Sequence, residues 1–381
     1  MENKKINETT RQEEILARIR LNAALPYSAD KANAIIHFYG SARESIKKSA
    51  DELVGDGLLT IDMADRFSVS VRQFNAENEF SSAEKKGIRI LIPDDPEYPE
   101  RLSCIYDPPV LLYVRGDCSK FDTPAAAIVG TRHPTSYGLR MTDNISYGLA
   151  ERGVAVASGL ARGIDSAAHA AALRAGGITW AVLGTGLLET YPRENGRLAD
   201  EIADSGGAVI SEYPLRHTAR QISFPRRNRI ISGISNAVAV IEGTFKSGSL
   251  ITARCALEQG REVLALPGRA DSVYSQGPNN LIRNGAALAE SADDIIGCFS
   301  SKFRRQVYSA EREEKRRNAA IMSLSPEAAA IYETIRNSEN GLTIDEVCLH
   351  VGYTAQQASA AIFELEVSGL TMQRLARYVA L

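Results

Sequence analysis

The densest chemistry in this chain lies in Phe224-Pro225-Arg226-Arg227-Asn228-Arg229-Ile230-Ile231, where three arginines fall within four residues behind a proline able to open a helix. On a helix, Arg226 and Arg229 share a face and Arg227 points elsewhere. Guanidinium groups are planar donor forks suited to phosphate oxygens. Three further loops have the character of anion sites. Ile128-Val129-Gly130-Thr131-Arg132 and Ser158-Gly159-Leu160-Ala161-Arg162-Gly163-Ile164-Asp165 each put glycine and arginine at the end of an apolar run. Glu242-Gly243-Thr244-Phe245-Lys246-Ser247-Gly248-Ser249 puts glycine and lysine ahead of a helix. Backbone N–H groups at such glycines, with a helix dipole behind them, favour a bound anion. Between Ser211 and Arg254, seven cations (Arg216, Arg220, Arg226, Arg227, Arg229, Lys246, Arg254) stand against Glu212 and Glu242, in a chain of net charge -3. Several anion sites on one rim suit a polymer of phosphates better than one small cofactor. The expected contact residues are Gly130, Thr131, Arg132, Arg162, Arg226, Arg227, Asn228, Arg229, Lys246, Ser247, Gly248 and Arg254.

Other chemistries lack their residues. Gly184-Thr185-Gly186 has Glu189 where the third glycine of a dinucleotide fingerprint belongs, and no G-x-x-x-x-G-K-[ST] loop occurs. Five cysteines are scattered without a C-x-x-C pair, which argues against a disulfide framework and a cysteine zinc site and for a reducing cytoplasm. His169 sits in an alanine-rich stretch with no companion nucleophile, so a packed structural role is expected. Asp165 reads as a stabilising charge at a helix N-terminus. No catalytic residue, metal or cofactor is expected.

The elements that must position these loops follow from the apolar pattern. Short runs at Ala125–Val129, Val154–Ala157, Trp180–Leu183, Ala208–Ile210, Ala237–Ile241 and Val263–Leu266 alternate with helical stretches such as Tyr137–Arg152, Ile164–Ala175, Arg193–Ala203 and Ser249–Gln259. Nearly continuous apolar strands between helices predict a doubly wound parallel α/β sheet, whose ligands gather at the carboxyl ends of the strands. Residues 1–82 read as a small helical (SAM/HhH-like) module, with Tyr39-Gly40-Ser41 as a helix-helix turn capped by glycine. Residues 83–298 hold the α/β domain and 299–322 a charged linker or exposed helix. Residues 323–381 open with Ser325-Pro326-Glu327, followed by capping boxes at Thr343/Glu346 and Thr354/Gln357 and two short strand-like pieces. Three helices and a hairpin predict a winged helix. Its third helix offers Gln356, Gln357 and Ser359 with Glu364 and Glu366 but no lysine or arginine, so a protein-contact or structural role fits it at least as well as DNA reading.

The chain's 381 residues fit two to three domains, and 44% hydrophobic with 24% charged residues excludes a fibrous or wholly disordered chain. No apolar run approaches the ~20 residues of a membrane span, and Met1-Glu2-Asn3-Lys4-Lys5 has no apolar core behind it to make a secretory signal.

From about Tyr98 to Ala286 the chain resembles the DprA/Smf family, DNA-processing proteins of bacterial transformation. The resemblance rests on Tyr98-Pro99 with Leu102 and Ile105, on Pro108-Pro109, and on the Gly130 and Gly159 loops quoted above. It continues through Ser211-Glu212-Tyr213-Pro214, the arginine stretch, Ser247-Gly248-Ser249, Leu266-Pro267-Gly268 and Gly277-Pro278-Asn279-Asn280. Thr131 stands where serine is common, and keeps the hydroxyl. The resemblance implies an extended Rossmann-like domain that binds single-stranded DNA without catalysis, a homodimer, and handing of the strand to RecA. The alternative is a Rossmann-like nucleotide phosphoribohydrolase with a P-G-G-x-G-T-x-x-E signature. Glu242-Gly243-Thr244 echoes it only in part, without the preceding glycines or the trailing acid that N-glycosidic hydrolysis needs.

Overall fold

Every residue of Ala125–Val129 is buried. Ala125, Ala127 and Val129 enter one apolar cluster and Ala126 and Ile128 another, the period-two division of a strand covered on both faces. This strand is β3 of a nine-stranded sheet in the computed structural model, which describes residues 8–308, 321–322, 324–338, 341–374 and 377–380. The chain divides into two units, 1–307 and 308–381.

In the first unit the strands are β1 (Ile88–Leu91), β2 (Leu112–Gly116), β3, β4 (Ala155–Ser158), β5 (Thr179–Val182), β6 (Ala208–Ser211), β7 (Ala237–Val240), β8 (Glu262–Ala265) and β9 (Ala287–Leu288). Their order across the sheet is β1-β2-β6-β5-β4-β3-β7-β8-β9. β3 through β9 run parallel, while β1 pairs with β2, and β2 with β6, antiparallel. The chain starts this parallel set at β3, builds outward through β4, β5 and β6, then returns to place β7 on β3's other side. That reversal is a topological switch point, where open α/β sheets form a crevice.

Among the described residues, six helices precede the sheet: α1 (Glu8–Ala24), α2 (Ala29–Tyr39), α3 (Ala42–Ser45), α4 (Ala50–Gly55), α5 (Ile61–Gln73) and α6 (Ala76–Lys85). α2 ends at Gly40 with a left-handed φ of 82°, and Ser41 caps α3, as the turn reading anticipated. The expected boundary between 82 and 83 falls inside the unit 1–307. Ile15, Ile19, Leu53 and Phe67 share one buried cluster with Ile88, Leu111, Leu183 and Leu215. Polar contacts tie the module to the sheet as well. The Asn22 side chain donates to the Glu212 carbonyl at 2.7 Å, and the Leu215 amide donates to the Glu79 carboxylate at 2.6 Å.

The remaining helices of this unit are α7 (Glu100–Ser103), α8 (Ser136–Glu151), α9 (Ile164–Arg174), α10 (Gly196–Asp204), α11 (Ser223–Gly233), α12 (Gly248–Glu258), α13 (Gln276–Arg283), α14 (Ala292–Gly297) and α15 (residues 301–308). The charged segment expected as linker over 299–322 is not solvated at its start, because Phe299 and Val307 are buried in the cluster under α8 and α14. Residues 309–320 lie outside the described residues.

The second unit has α16 (Pro326–Arg336), α17 (Ile344–Val351), α18 (Ala355–Val367) and a hairpin of β10 (Thr371–Arg374) and β11 (Arg377–Ala380). Ser325, Thr343 and Thr354 cap the three helices with their side chains, the last two as complete capping boxes. Ile331, Ile335, Val347, Ile362 and Leu365 form its core.

Candidate nucleic-acid interface

The carboxyl ends of β3 and β7 open into a cavity of about 320 Å³. Its wall includes Gly130, Thr131 and Arg132 after β3, Arg227 and Asn228 from α11, and Ser247 and Gly248 at the start of α12. Seven of the twelve expected residues thus meet at one place, the switch point of the sheet.

The cavity loops are built by buried polar contacts. Glu242 follows β7, and its carboxylate accepts from the Thr135 amide at 2.8 Å and from the Thr135 hydroxyl at 2.5 Å. Its carbonyl accepts the Thr131 amide at 2.7 Å. Asp165, 6% exposed, accepts from the Gly159 amide at 3.1 Å, and the amides of Ala161 and Gly130 also bond it. Burial pushes the Asp165 carboxyl up, while the Arg227 cation and these amides pull it back. Asp165 therefore organises three loop amides around itself, a larger role than a helix-end charge.

These bonds correct the expectation of bare amides at the first loop. The Gly130 and Thr131 N–H groups serve Asp165 and Glu242. Gly130 is glycine for space, since a Cβ there would lie 2.6 Å from Ile164 Cγ1. Gly163 is glycine for conformation: its φ of 79° and ψ of -121° are closed to other residues, and a Cβ would lie 2.5 Å from the Thr131 carbonyl oxygen. Free anion-binding character belongs to the start of α12 instead. There Ser247 caps the helix, accepting the Ser249 amide at 3.4 Å, and Gly248 has open space where its Cβ would be.

The three arginines of α11 have three fates. Arg226 is half-buried. Arg227 is 4% exposed and donates to the carbonyls of Gly159, at 2.6 Å, and Val182. Burial pulls its guanidinium down to about 10, with Asp165 opposing and Arg132 adding to the shift, so it is still a cation at neutral pH. Arg229 is no phosphate ligand: it donates to Glu212 and, at 2.9 Å, to Asp107, with its side chain 8% exposed. Burial lowers its pKa, and these two carboxylates more than reverse that. Arg226 and Arg229 do not share an exposed face.

Arg132 is exposed, with its guanidinium 5.7 Å from the Phe224 ring centre. Lys246 is exposed in the turn at the cavity edge. Among the described residues neither has an ion-pair partner. Arg162 is exposed but bonded to Glu194. Arg254 lies outside the cavity wall, on α12, 3.9 Å from Glu258. Asn228 donates to the Gly248 carbonyl at 3.2 Å and so couples α11 to α12. His169 is buried as expected, with Nδ1 2.6 Å from the Thr179 hydroxyl. That hydroxyl gives its proton to Val156, so Nδ1 carries the hydrogen. Burial pushes the ring down to about 3, and it is neutral. Sequence reasoning passed over Tyr191, which packs against Phe224 beside the cavity; the signal available was an aromatic at Tyr191-Pro192, just beyond the Gly184-Thr185-Gly186 strand end.

Among the described residues no His/Cys/Asp/Glu cluster could hold a metal ion, and no helix is long and apolar enough to cross a membrane.

Several known proteins share this frame. Protein Smf of Escherichia coli K12 is 44% identical over 238 residues, which is 62% of this chain and 63% of that protein. DNA processing protein DprA of Bacillus subtilis is 44% identical over 213 residues, 56% of this chain and 71% of that protein. The chain thus spans somewhat under two thirds of its Escherichia coli relative. The crystal structure of DprA from Streptococcus pneumoniae superposes with a TM-score of 0.61 at 34% identity, covering 78% of this chain and 99% of that one. DNA processing protein A from Helicobacter pylori, described for its single-stranded DNA binding mode, gives a TM-score of 0.50 at 32% identity over 55% of this chain and 94% of that one. With the DNA recombination-mediator protein A model matching residues 89–300, all of the sheet but its first residue, its switch point and the loops that wall the cavity fall within the matched region, and the chain belongs to that family.

Proposed function

We propose that this protein binds single-stranded DNA at the switch-point cavity, without turning it over, and presents the strand to RecA. The observation that carries the reading is a pair of exposed cations without ion-pair partners among the described residues, Arg132 in the cavity wall and Lys246 between the wall residues Thr244 and Ser247, at a cavity that also receives the N-terminus of α12. Phosphates would meet Arg132, Lys246, Ser247 and Gly248, with Arg226 and Arg162 alongside. Arg227 adds its buried charge from within the wall. The Helicobacter pylori relative, described for single-stranded DNA binding, supports the choice of ligand. Against a phosphoribohydrolase stands Glu242, whose two carboxylate oxygens are taken by Thr135 and are not free to move a proton for a glycosidic bond. A homodimer would set two such cavities along one strand and raise affinity through effective concentration. The unit 308–381 is assigned a winged-helix role in protein contact, since α18 brings no lysine or arginine to a DNA backbone.

Fluorescence anisotropy of labelled oligothymidylate against duplex of equal length, at two salt concentrations, tests this. Tight binding of the single strand is expected, weakening with salt by a slope of about 0.7 per phosphate contact. The R132A/K246A double variant should bind weakly, with a slope reduced by about 1.4, two contacts' worth. In the same samples RecA's strand-dependent ATP hydrolysis should start sooner with the wild type than with the double variant. Equal affinity for duplex and single strand, or an unchanged double variant, refutes the assignment.

A further inference from the structure

We infer that His217 is a positioning residue through which the amino-terminal helices hold the first turn of α11, and with it part of the cavity wall; its bearing on affinity rests on the strand binding proposed above. The segment Glu212–Ile222 joins β6 to α11. From Arg216 to Ile222 it is exposed except at His217, which is half-buried. An exposed connection is mobile by default, so whatever fixes it also fixes the helix it leads into.

His217 is the fixed point of this segment. Its amide donates to the Pro214 carbonyl at 2.8 Å, and its carbonyl accepts the Gly186 amide at 2.8 Å. Its ring stacks on Tyr213, with centres 4.5 Å apart and planes 16° apart. Nε2 lies 3.2 Å from the Tyr27 hydroxyl and 3.2 Å from the Ser223 hydroxyl. Tyr27 comes from the turn between α1 and α2, and Ser223 is the first residue of α11. One imidazole nitrogen thus joins the amino-terminal module to the helix whose Phe224, Pro225, Arg227 and Asn228 wall the cavity.

The join has no substitute. Ser223 is fully buried, and among the described residues neither its hydroxyl nor that of Tyr27 has another partner. Losing Nε2 would leave a buried hydroxyl unsatisfied at the start of α11. A neutral ring with its hydrogen on Nδ1 lets both hydroxyls donate to Nε2, which a protonated ring forbids. Burial lowers the pKa of the ring and the Arg220 cation lowers it further, so the ring is neutral at pH 7.

The test uses the full chain and oligothymidylate, at a temperature where each variant is folded. Y27F keeps the ring and removes the hydroxyl, and should bind the strand about three- to tenfold more weakly. H217L should lose at least as much. H217Q, whose side-chain amide can reach the place of Nε2, should regain most of the loss. Adding Y27F to H217L should cost nothing further, because the hydroxyl then has no nitrogen to meet. The salt slope should keep its wild-type value in Y27F and H217L, which separates positioning from phosphate contact. With no nucleic acid present, hydrogen exchange at the amides of α11 should quicken in Y27F and H217L but not in H217Q. Unchanged affinity and exchange in Y27F, or losses in Y27F and H217L that add in full, overturn the inference and leave the cavity standing. A lower salt slope in H217L makes His217 a phosphate ligand and overturns the positioning role. A wild type that binds no strand overturns the strand-binding reading and the effect on affinity with it, while quickened exchange in Y27F would still uphold the link from Tyr27 to α11.

Discussion

Arg227 and Arg229 stand two positions apart on α11, both buried, and meet opposite surroundings. Arg227 donates to carbonyl oxygens rather than to a carboxylate, with the Asp165 charge nearby. Arg229 faces Glu212 and Asp107, which consume its charge. A buried pair that loses one member leaves an uncompensated ion, which costs about 3–5 kcal/mol, whereas replacing both members by apolar groups is nearly neutral. R229M should therefore lower the free energy of unfolding by about 3–5 kcal/mol. R229M/E212L should recover much of that loss, as read by urea denaturation. R132A, at an exposed cation, should leave the same curve where it was. An R229M protein of wild-type stability but weakened strand affinity would return Arg229 to the interface. The sequence could count these cations but not assign them. Gly159, Glu212 and Asp107 reach α11 from 68, 17 and 122 residues away, so which arginine finds a carboxylate is settled by the fold.

Strands and helices were far more legible than side-chain partners. Parallel strands buried on both faces have no polar alternation to blur them, and Ala125–Val129 was read with its observed ends. The neighbouring apolar runs lie within one residue of β4 through β8. β1, β2 and β9 have no counterpart among the apolar runs. Leu112–Gly116 ends in Arg115 and Gly116, and Ala287–Leu288 is two exposed residues, so neither has the continuous apolar run that marked the others. The helices around the cavity were legible by period, but the loops between them are set by buried carboxylates that period does not show. Gly163 is where that loop geometry is most exposed to a single substitution. G163A puts a side chain in a disallowed backbone region, costing about 1–3 kcal/mol before the clash with the Thr131 carbonyl is relieved. It should lower stability by at least that amount. Because Gly163 touches Thr131 and the Arg132 backbone, it should also weaken oligothymidylate binding more than the stability loss explains. Native-like strand affinity in G163A at a temperature where the variant stays folded would show that the Thr131 loop does not set the interface.

At the scale of the molecule, the borders drawn from composition and the borders drawn by packing diverge, and the divergence is testable by cutting the chain. Charge density marks 299–322 as one stretch, yet Phe299 and Val307 are 3% and 2% exposed against the helices behind β3 and β7. Fully burying a large apolar side chain is worth about 1.5–3 kcal/mol, so a chain ending at 298 forfeits about 3–6 kcal/mol that a chain ending at 307 retains. The same logic applies at the other end. α1 through α6 have a helical composition of their own, but their apolar faces lie on Ile88, Leu111, Leu183 and Leu215. A chain beginning at 83 would bare that face and leave the Glu212–Leu215 segment without Asn22 and Glu79. Since Glu212 anchors Arg229 in the helix that walls the cavity, the loss should reach the interface. Residues 1–307 should thus unfold in one cooperative step, with the stability of the same unit in the full chain and near-wild-type salt dependence on oligothymidylate. Chains 1–298 and 83–307 should each be measurably less stable in urea, and 83–307 should bind the strand poorly at temperatures where 1–307 binds it. If 83–307 matched 1–307 in both respects, the amino-terminal helices would be an independent attachment, and the shared core that joins them to the sheet would carry no energetic weight.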